Sequence, residues 1–198
     1  TPRKMGTFSQ YEYPHTLERY VECANFCGFT GKSDEETLDN FIKGIEEAHS
    51  LGKKVHAVLN IIPHVRRVKA FEKVVDEMAE LKPDAFIMAD PGLIDIVRNR
   101  YPDIPIHLSV QANTVNAGSV KFWQKVGLTR CILARELSLT EIDMIKQECP
   151  DMEIEVFAHG ALCMGYSGQC YLSAAIGGRS GNRGRCAQPC RQSYGHGR

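Results

Sequence analysis

Eight cysteines punctuate this chain of 198 residues, and four of them, Cys163, Cys170, Cys186 and Cys190, fall within a stretch of 28. Six residues separate the first two, fifteen the next two and three the last two. Four thiolates on glycine-rich connections can wrap a tetrahedral zinc ion or a cuboidal 4Fe-4S cluster. Paired zinc knuckles carry shorter separations on both sides, so the six-residue spacer leans toward the cluster, although spacing alone leaves zinc open. Free buried thiols or a pair of disulfides are the structural alternative. Such density staples small secreted proteins, whereas a chain of this size needs no staples. Cys131 in an apolar run and Cys149 beside Pro150 read as structural residues; Cys23 and Cys27 are close enough to chelate, but in an irregular context.

His159 stands four residues before Cys163. An imidazole titrates near neutrality, which makes His159 the candidate for proton transfer, and across a helical or tight turn it would also activate Cys163 as a nucleophile. Ser167, in YSG, lacks an evident partner acid. The sequence holds no HExxH pair and no serine nucleophile elbow.

Charge is segregated although the whole chain is formally neutral. Residues 160–198 carry five arginines and no lysine or acid, leaving 19 basic and 24 acidic residues in 1–159. Guanidinium forks match phosphate oxygens, so Arg179, Arg183, Arg185 and Arg191 are candidate RNA contacts, with Arg198 beyond them. A solvated basic tail would show the same composition.

The elements that must position these groups form a repeat. From about residue 33, short β-branched runs alternate with amphipathic periods, as in a parallel sheet of βα units. Ser33 and Glu36 form a capping box ahead of a helix with Leu38, Phe41, Ile42 and Ile45 on one face, closed by Gly52. VHAVLN follows, then a helix over 68–81 burying Phe71, Val74, Met78 and Leu81, then AFIMAD. Asp90 caps the next helix with Pro91 at its first position. IHLSV leads into a helix carrying Val120, Trp123 and Val126 before Gly127. CILA precedes a capping box, Ser138 with Glu141, and a helix with Leu139, Ile142 and Ile145 on one face. EIEVFA closes the series near residue 158.

Strand starts near 54, 84, 105, 129 and 153 are spaced by 30, 21, 24 and 24 residues, close to one unit of an eightfold barrel. Residues 1–52 add one or two weak strands at most, such as GTFSQYEY. The expectation is an α/β, TIM-like (β/α) barrel, incomplete at its amino end. Its parts are a poorly patterned segment 1–32, a βα-repeat portion 33–159, and a cysteine- and arginine-rich segment 160–198 that binds the cluster. A doubly wound open sheet is the alternative, but no glycine-rich phosphate turn follows any strand.

Residues just after parallel strands share one rim, where barrel enzymes place their chemistry. Here they are Asn60 with His64, Asp90, Gln111 with Asn113, Arg135 with Glu136, and His159 with Gly160. Asp90 and Asn113 would equally serve as helix caps. As a set these residues outline a pocket for a polar, anionic small molecule or a flipped base. His107 within a strand and His49 within a helix read as core or surface residues.

Apolar content is 43%, yet no run approaches the roughly 20 residues of a membrane-spanning helix. No secretory signal opens the chain, so the expectation is a cytoplasmic protein; Thr1 in place of Met fits a processed chain or a piece of a longer one.

EIEVFAHGALCMGYSGQCYLS followed by NRGRCAQPCR resembles the signature of the collagenase-like peptidase U32 family. AHSLGKKVHAVLNIIPH, DAFIMADPGLI, IHLSVQANTVN, VKFWQKVGLTR and ILARELSLTEI resemble its barrel half, so the likeness covers roughly residues 45–192. It implies an oxygen-independent hydroxylase carrying a 4Fe-4S cluster on Cys163, Cys170, Cys186 and Cys190, with the fourth position varying within the family. One branch forms 5-hydroxyuridine at the tRNA wobble position with prephenate as donor, a second hydroxylates a ribosomal RNA cytidine, and a third a ubiquinone precursor. DPGLI, HLSVQAN and PDMEIEVFAHGALCM are most similar to the tRNA branch, whereas CAQPC is similar to the wider family. The usual Leu-Ala-Pro-Ala-Gly-like opening strand is not seen. The family label also keeps a peptidase open, and a noncatalytic RNA-binding module whose metal only folds the tail is a further alternative.

Overall fold

The computed structural model describes residues 20–23, 34–159, 163, 165–166, 169–183 and 186–195, with side chains from residue 42 onward except that of Arg183. The chain is α/β and divides into two compact units, 1–107 and 108–198. None of the described helices is long and apolar enough to cross a membrane.

In the first unit β1 (Tyr20–Cys23), β2 (Lys54–Val58), β3 (Ala85–Met88) and β4 (Ile106–Leu108, whose last residue crosses the boundary) lie side by side in chain order. β1 to β3 run parallel, with Val21 opposite Val55 and Ala57 opposite Phe86. Parallel neighbours need a crossover, and helices α1 (Asp34–Ser50), α2 (Val68–Glu80) and α3 (Pro91–Arg100) supply it. All four residues of β3 are buried, as expected of a strand covered on both faces.

The helix ends follow their local chemistry. Gly52 adopts a left-handed φ of +66° after α1, which lets the chain turn into β2. Asp90 Oδ1 accepts the Leu93 backbone N–H at 3.0 Å, with Pro91 at the first turn of α3. In α2 the buried residues are Phe71, Val75 and Met78, with Val74 and Leu81 only half-buried. At about 100° per residue, positions 71, 75 and 78 share a narrower arc than the expected set with Val74. Asp84 accepts from the Val55 backbone N–H at 2.7 Å and bonds His49 Nε2 at 3.0 Å, joining the start of β3 to β2 and α1. Burial pushes its carboxyl up, but these hydrogen bonds outweigh burial and hold it below its ordinary value. His49 is thus a surface residue, while His107 is buried edge-to-face against His56, ring centres 4.7 Å apart.

In the second unit β5 (Arg130–Ile132) and β6 (Glu153–Glu155) are parallel, with Cys131 opposite Ile154. Helix α4 (Ala117–Val126) starts on Asn116, whose Oδ1 accepts from Ser119 N–H, and stops at Gly127 with φ +92°. Helix α5 (Leu139–Glu148) opens with the full Ser138–Glu141 capping box. Only Ile145 of its expected stripe is buried, and Leu139 is 84% exposed. Successive steps of three residues swing the face round by about 120° between 139 and 145, so the three cannot share one contact. Buried Arg130 donates to Glu155 at 2.9 Å and Glu153 at 2.7 Å across the β5–β6 pair. β6 ends at Glu155, short of the expected EIEVFA run, and Val156 and Phe157 are exposed. A short helix, α6 (Leu172–Gly177), follows in the cysteine segment.

The one strand of the amino-terminal segment that the structure describes, β1, lies outside GTFSQYEY. GTFSQYEY itself and Ser33 lie outside the described residues.

Candidate functional site

The loops after β4 and β5 build the described part of the site. Ser109 Oγ accepts from the Gln111 backbone N–H and begins a short 3-10 turn, Val110–Ala112, which ends at Asn113 with φ +54°. Asparagine tolerates that left-handed conformation better than most side chains, a local reason for its presence here. Ala134 N–H donates to the Thr114 carbonyl at 3.0 Å, fastening the post-β5 loop to the post-β4 loop. Gln111 Oε1, Asn113 Oδ1 and Arg135 Nε are each enclosed and without a partner among the described residues. Two acceptors and one donor of this kind, left unspent at strand ends, are what a polar ligand would satisfy.

Arg135 spends its other two nitrogens on the cysteine segment. Its Nη1 donates to the Cys163 carbonyl at 3.2 Å and Nη2 to the Gly165 carbonyl at 3.4 Å. Gln169 Nε2 donates to the Gln111 carbonyl at 3.1 Å, a second tie beside Cys170. Glu136 and His159 are exposed. In the first unit, Asn60 and Asp90 are half-buried just past neighbouring parallel strands β2 and β3, and Asp90 acts as the cap described above; His64 is exposed.

The cysteines fall into two chemical classes. Cys131 and Cys149 are buried; burial pushes the Cys131 thiol up to about 11, a nearby Thr114 hydroxyl only partly offsetting it, and Cys149 Sγ lies 3.7 Å from the Ala117 carbonyl. Both suit the structural role expected of them. Cys163 and Cys170 are half-buried, Cys186 and Cys190 exposed, and none of these six is in a disulfide. Cys170 Sγ accepts the Leu172 backbone N–H at 3.4 Å, and Cys186 Sγ accepts that of Gln188 at 3.3 Å. Each is a sulfur accepting from the amide two residues on.

Glycines bring this segment together. A Cβ added at Gly165 would lie 2.7 Å from Cys170 Cβ, and one at Gly181 would lie 3.5 Å from Cys186 Cβ and 3.9 Å from the Cys170 carbonyl. Gly181 therefore sits between Cys170 and Cys186. Buried Ser173, on α6, accepts from the Ala187 N–H at 2.9 Å and holds the Cys186 turn against that helix. Among the described residues no three His, Cys, Asp or Glu side chains are gathered as a metal site. The donor set, its amide hydrogen bonds and the glycine approaches nonetheless suit a soft metal centre.

Of the candidate RNA contacts, Arg179 and Arg191 are exposed. The side chain of Arg183 and all of Gly160, Ser167, Arg185, Arg198 and Cys27 lie outside the described residues, as does the side chain of Cys23. Sequence reasoning did not single out Gly165, Gly181 or Gln169. The glycines stand in a glycine-rich stretch that hides which of them are needed, and Gln169 carries no signal beyond adjacency to Cys170.

A family profile described as Peptidase family U32 matches residues 31–197. The chain is 55% identical over 163 residues to tRNA hydroxylation protein P of Escherichia coli (strain K12), covering 82% of this chain and 36% of that protein. It is 38% identical to a 23S rRNA 5-hydroxycytidine synthase of the same organism, covering 86% of this chain and 26% of that one. Identity to a collagenase of Porphyromonas gingivalis (strain ATCC BAA-308 / W83) is 31%, over 80% of this chain and 40% of that protein. The chain thus spans about a third of the length of the tRNA hydroxylation proteins it matches. The solved structure of the U32 peptidase Mk0906 superposes with a TM-score of 0.51 at 16% identity, covering 76% of this chain and 72% of that one, which supports the fold.

Proposed function

The chain belongs to peptidase family U32, and from that membership we propose that it is part of an iron-sulfur enzyme that hydroxylates a pyrimidine of RNA, a tRNA uridine yielding 5-hydroxyuridine, with prephenate as donor. The similarity to proteins named for tRNA hydroxylation and rRNA hydroxycytidine synthesis supports the reaction class. The observation that carries the site is the cysteine segment tied to the loops after β4 and β5, with the Cys170 and Cys186 sulfurs accepting backbone N–H bonds.

Cys163, Cys170, Cys186 and Cys190 would hold the 4Fe-4S cluster, zinc being the other centre this donor set accepts. When bound, the cluster supplies electron transfer or Lewis acidity. Gln111 and Asn113 offer enclosed acceptors to the hydroxyls of a small anionic donor, Arg135 contributes positive charge, and Glu136 stands exposed beside it. Asn60 and Asp90 carry the same assignment in the first unit, and His159 would accept or deliver a proton. Arg179, Arg183, Arg185 and Arg191 would meet RNA phosphates, and exposed Tyr166, Tyr171 and Tyr194, which flank them in sequence, would offer rings for unstacked bases. We take the repeat as part of a TIM-like barrel in a cytoplasmic protein.

Nucleoside mass spectrometry of RNA from cells with and without the full-length gene tests reaction and substrate together. The hydroxylated pyrimidine disappears with the gene and returns with wild type, but not with Cys163→Ala or Cys170→Ala. Unchanged nucleosides would refute the reaction, and a colourless protein holding stoichiometric zinc would refute the cluster. Protease activity that survives loss of Cys186 and Cys190 would instead favour hydrolysis, the activity named for the collagenase relative.

A further inference from the structure

We propose that Arg135 is the positioning residue of the cysteine segment, its guanidinium fork tying the Cys163 and Gly165 carbonyls to the loop after β5. The two terminal nitrogens reach carbonyls two residues apart, Cys163 O at 3.2 Å and Gly165 O at 3.4 Å. A planar fork meets such a pair with two separate nitrogens held at a fixed spacing, one to each carbonyl. The tie spans 28 residues of sequence, so local structure cannot replace it. It is anchored at both ends: Arg135 stands three residues past the end of β5, and Gly165 lies close against Cys170, which places the clamp one step from two of the proposed ligands.

A comparison within the same unit shows what distinguishes this arginine. Arg130 is paired with the Glu153 and Glu155 carboxylates, which cancel its charge. Among the described residues, Arg135 bonds only neutral carbonyls, so no paired carboxylate cancels its positive charge at the Cys163 backbone. On the iron-sulfur reading above, on which this consequence rests, that charge favours the more negative, reduced state of the centre and raises its reduction potential. Arg135 therefore acts on the reaction through the thiolate loop.

The test uses the full-length protein as isolated, in wild-type, Arg135→Lys and Arg135→Gln forms. Alkylation is followed by mass spectrometry at Cys163, with buried Cys131 and Cys149 as internal references for unfolding. Arg135→Gln is expected to raise the Cys163 rate about tenfold, the factor equivalent to one lost hydrogen bond of ordinary strength, with Cys131 still protected. Arg135→Lys, keeping the charge without the fork, is expected to fall between. Where Arg135→Gln also exposes Cys131, Arg135→Lys decides. Cys163 reacting at the wild-type rate in every variant that protects Cys131 overturns the proposal. In cluster-loaded protein the midpoint potential falls in Arg135→Gln and is kept in Arg135→Lys; an equal potential in all three overturns the electrostatic part. Wild-type protein with no iron would sink the iron-sulfur reading, while the alkylation comparison would still decide the role of Arg135.

Discussion

Replacing Gly165 by Ala should dislodge Cys170 while leaving the rest of the second unit folded. The new Cβ would stand 2.7 Å from Cys170 Cβ and 3.4 Å from its Cα. Carbon atoms rest at about 3.5–4.0 Å, so the two groups must separate by about 1 Å. The obstacle is the root of a side chain and its backbone, with no flexible tip to swing aside, so the movement passes to the chain that carries the sulfur. Overpacking of this kind costs about 1–3 kcal/mol. A shift of that size also exceeds the roughly 0.2 Å within which metal–ligand distances are held. Gly181→Ala serves as the graded control, its Cβ meeting Cys186 Cβ at an ordinary 3.5 Å. Gly177→Ala, in α6 with nothing within 4 Å, should be neutral or gain up to about 1 kcal/mol. Iron per chain and urea denaturation are measured for all three in the full-length protein. The expected order of loss is Gly165→Ala, then Gly181→Ala, then Gly177→Ala; a Gly165→Ala protein as stable and as iron-loaded as the Gly181→Ala protein would refute the reasoning.

Burial raises the Cys131 thiol to about 11 from 9.0, so the neutral thiol is the stabilising form. Its contribution is complete below about pH 9 and lost as pH climbs toward 11, about 2–3 kcal/mol in all; urea midpoints at pH 8 and pH 10.5 should diverge in wild type more than in Cys131→Ala, and equal divergence would count against the assignment. For Asp90, removing the cap in Asp90→Ala should cost about 1 kcal/mol of stability in thermal denaturation, whereas Asp90→Asn keeps the acceptor and most of the stability; equal losses in the two variants would show that the cap is not what Asp90 contributes.

The alternation of strand and helix was legible because each signal is local. Asp90 before Pro91, the Ser138–Glu141 box, and the glycines at 52 and 127 act within one turn of the residues they terminate. β-branched and apolar runs mark strands covered on both faces for the same reason, and the observed starts at 54, 85, 106, 130 and 153 lie within a residue of those read from the sequence. The cysteine spacing likewise suggested the soft metal centre proposed above, because a thiol can ligate by residue type alone. Faces of helices were read less well: Val75 replaces Val74, and Leu139 points to solvent, because spacing defines an arc while the neighbouring element decides which part of it is covered.

Long-range partners were not legible at all. Arg135 and Arg130 stand five residues apart on the same strand and its exit, yet one meets two carbonyls of the thiolate turn and the other two carboxylates of β6. Its place just after a strand assigned Arg135 to an anion, and Arg130 was passed over. Gly165 and Gly181 are set apart from Gly177 and Gly178, which have nothing within 4 Å, by the cysteines they approach. The sequence by itself determined where elements begin and which atoms can ligate, since those properties belong to a residue and its nearest neighbours. Tertiary structure alone decided which donors remain unspent and which side chains reach the backbone of the cysteine segment, because hydrogen bonds and steric contacts between residues distant in sequence depend on how the chain is packed.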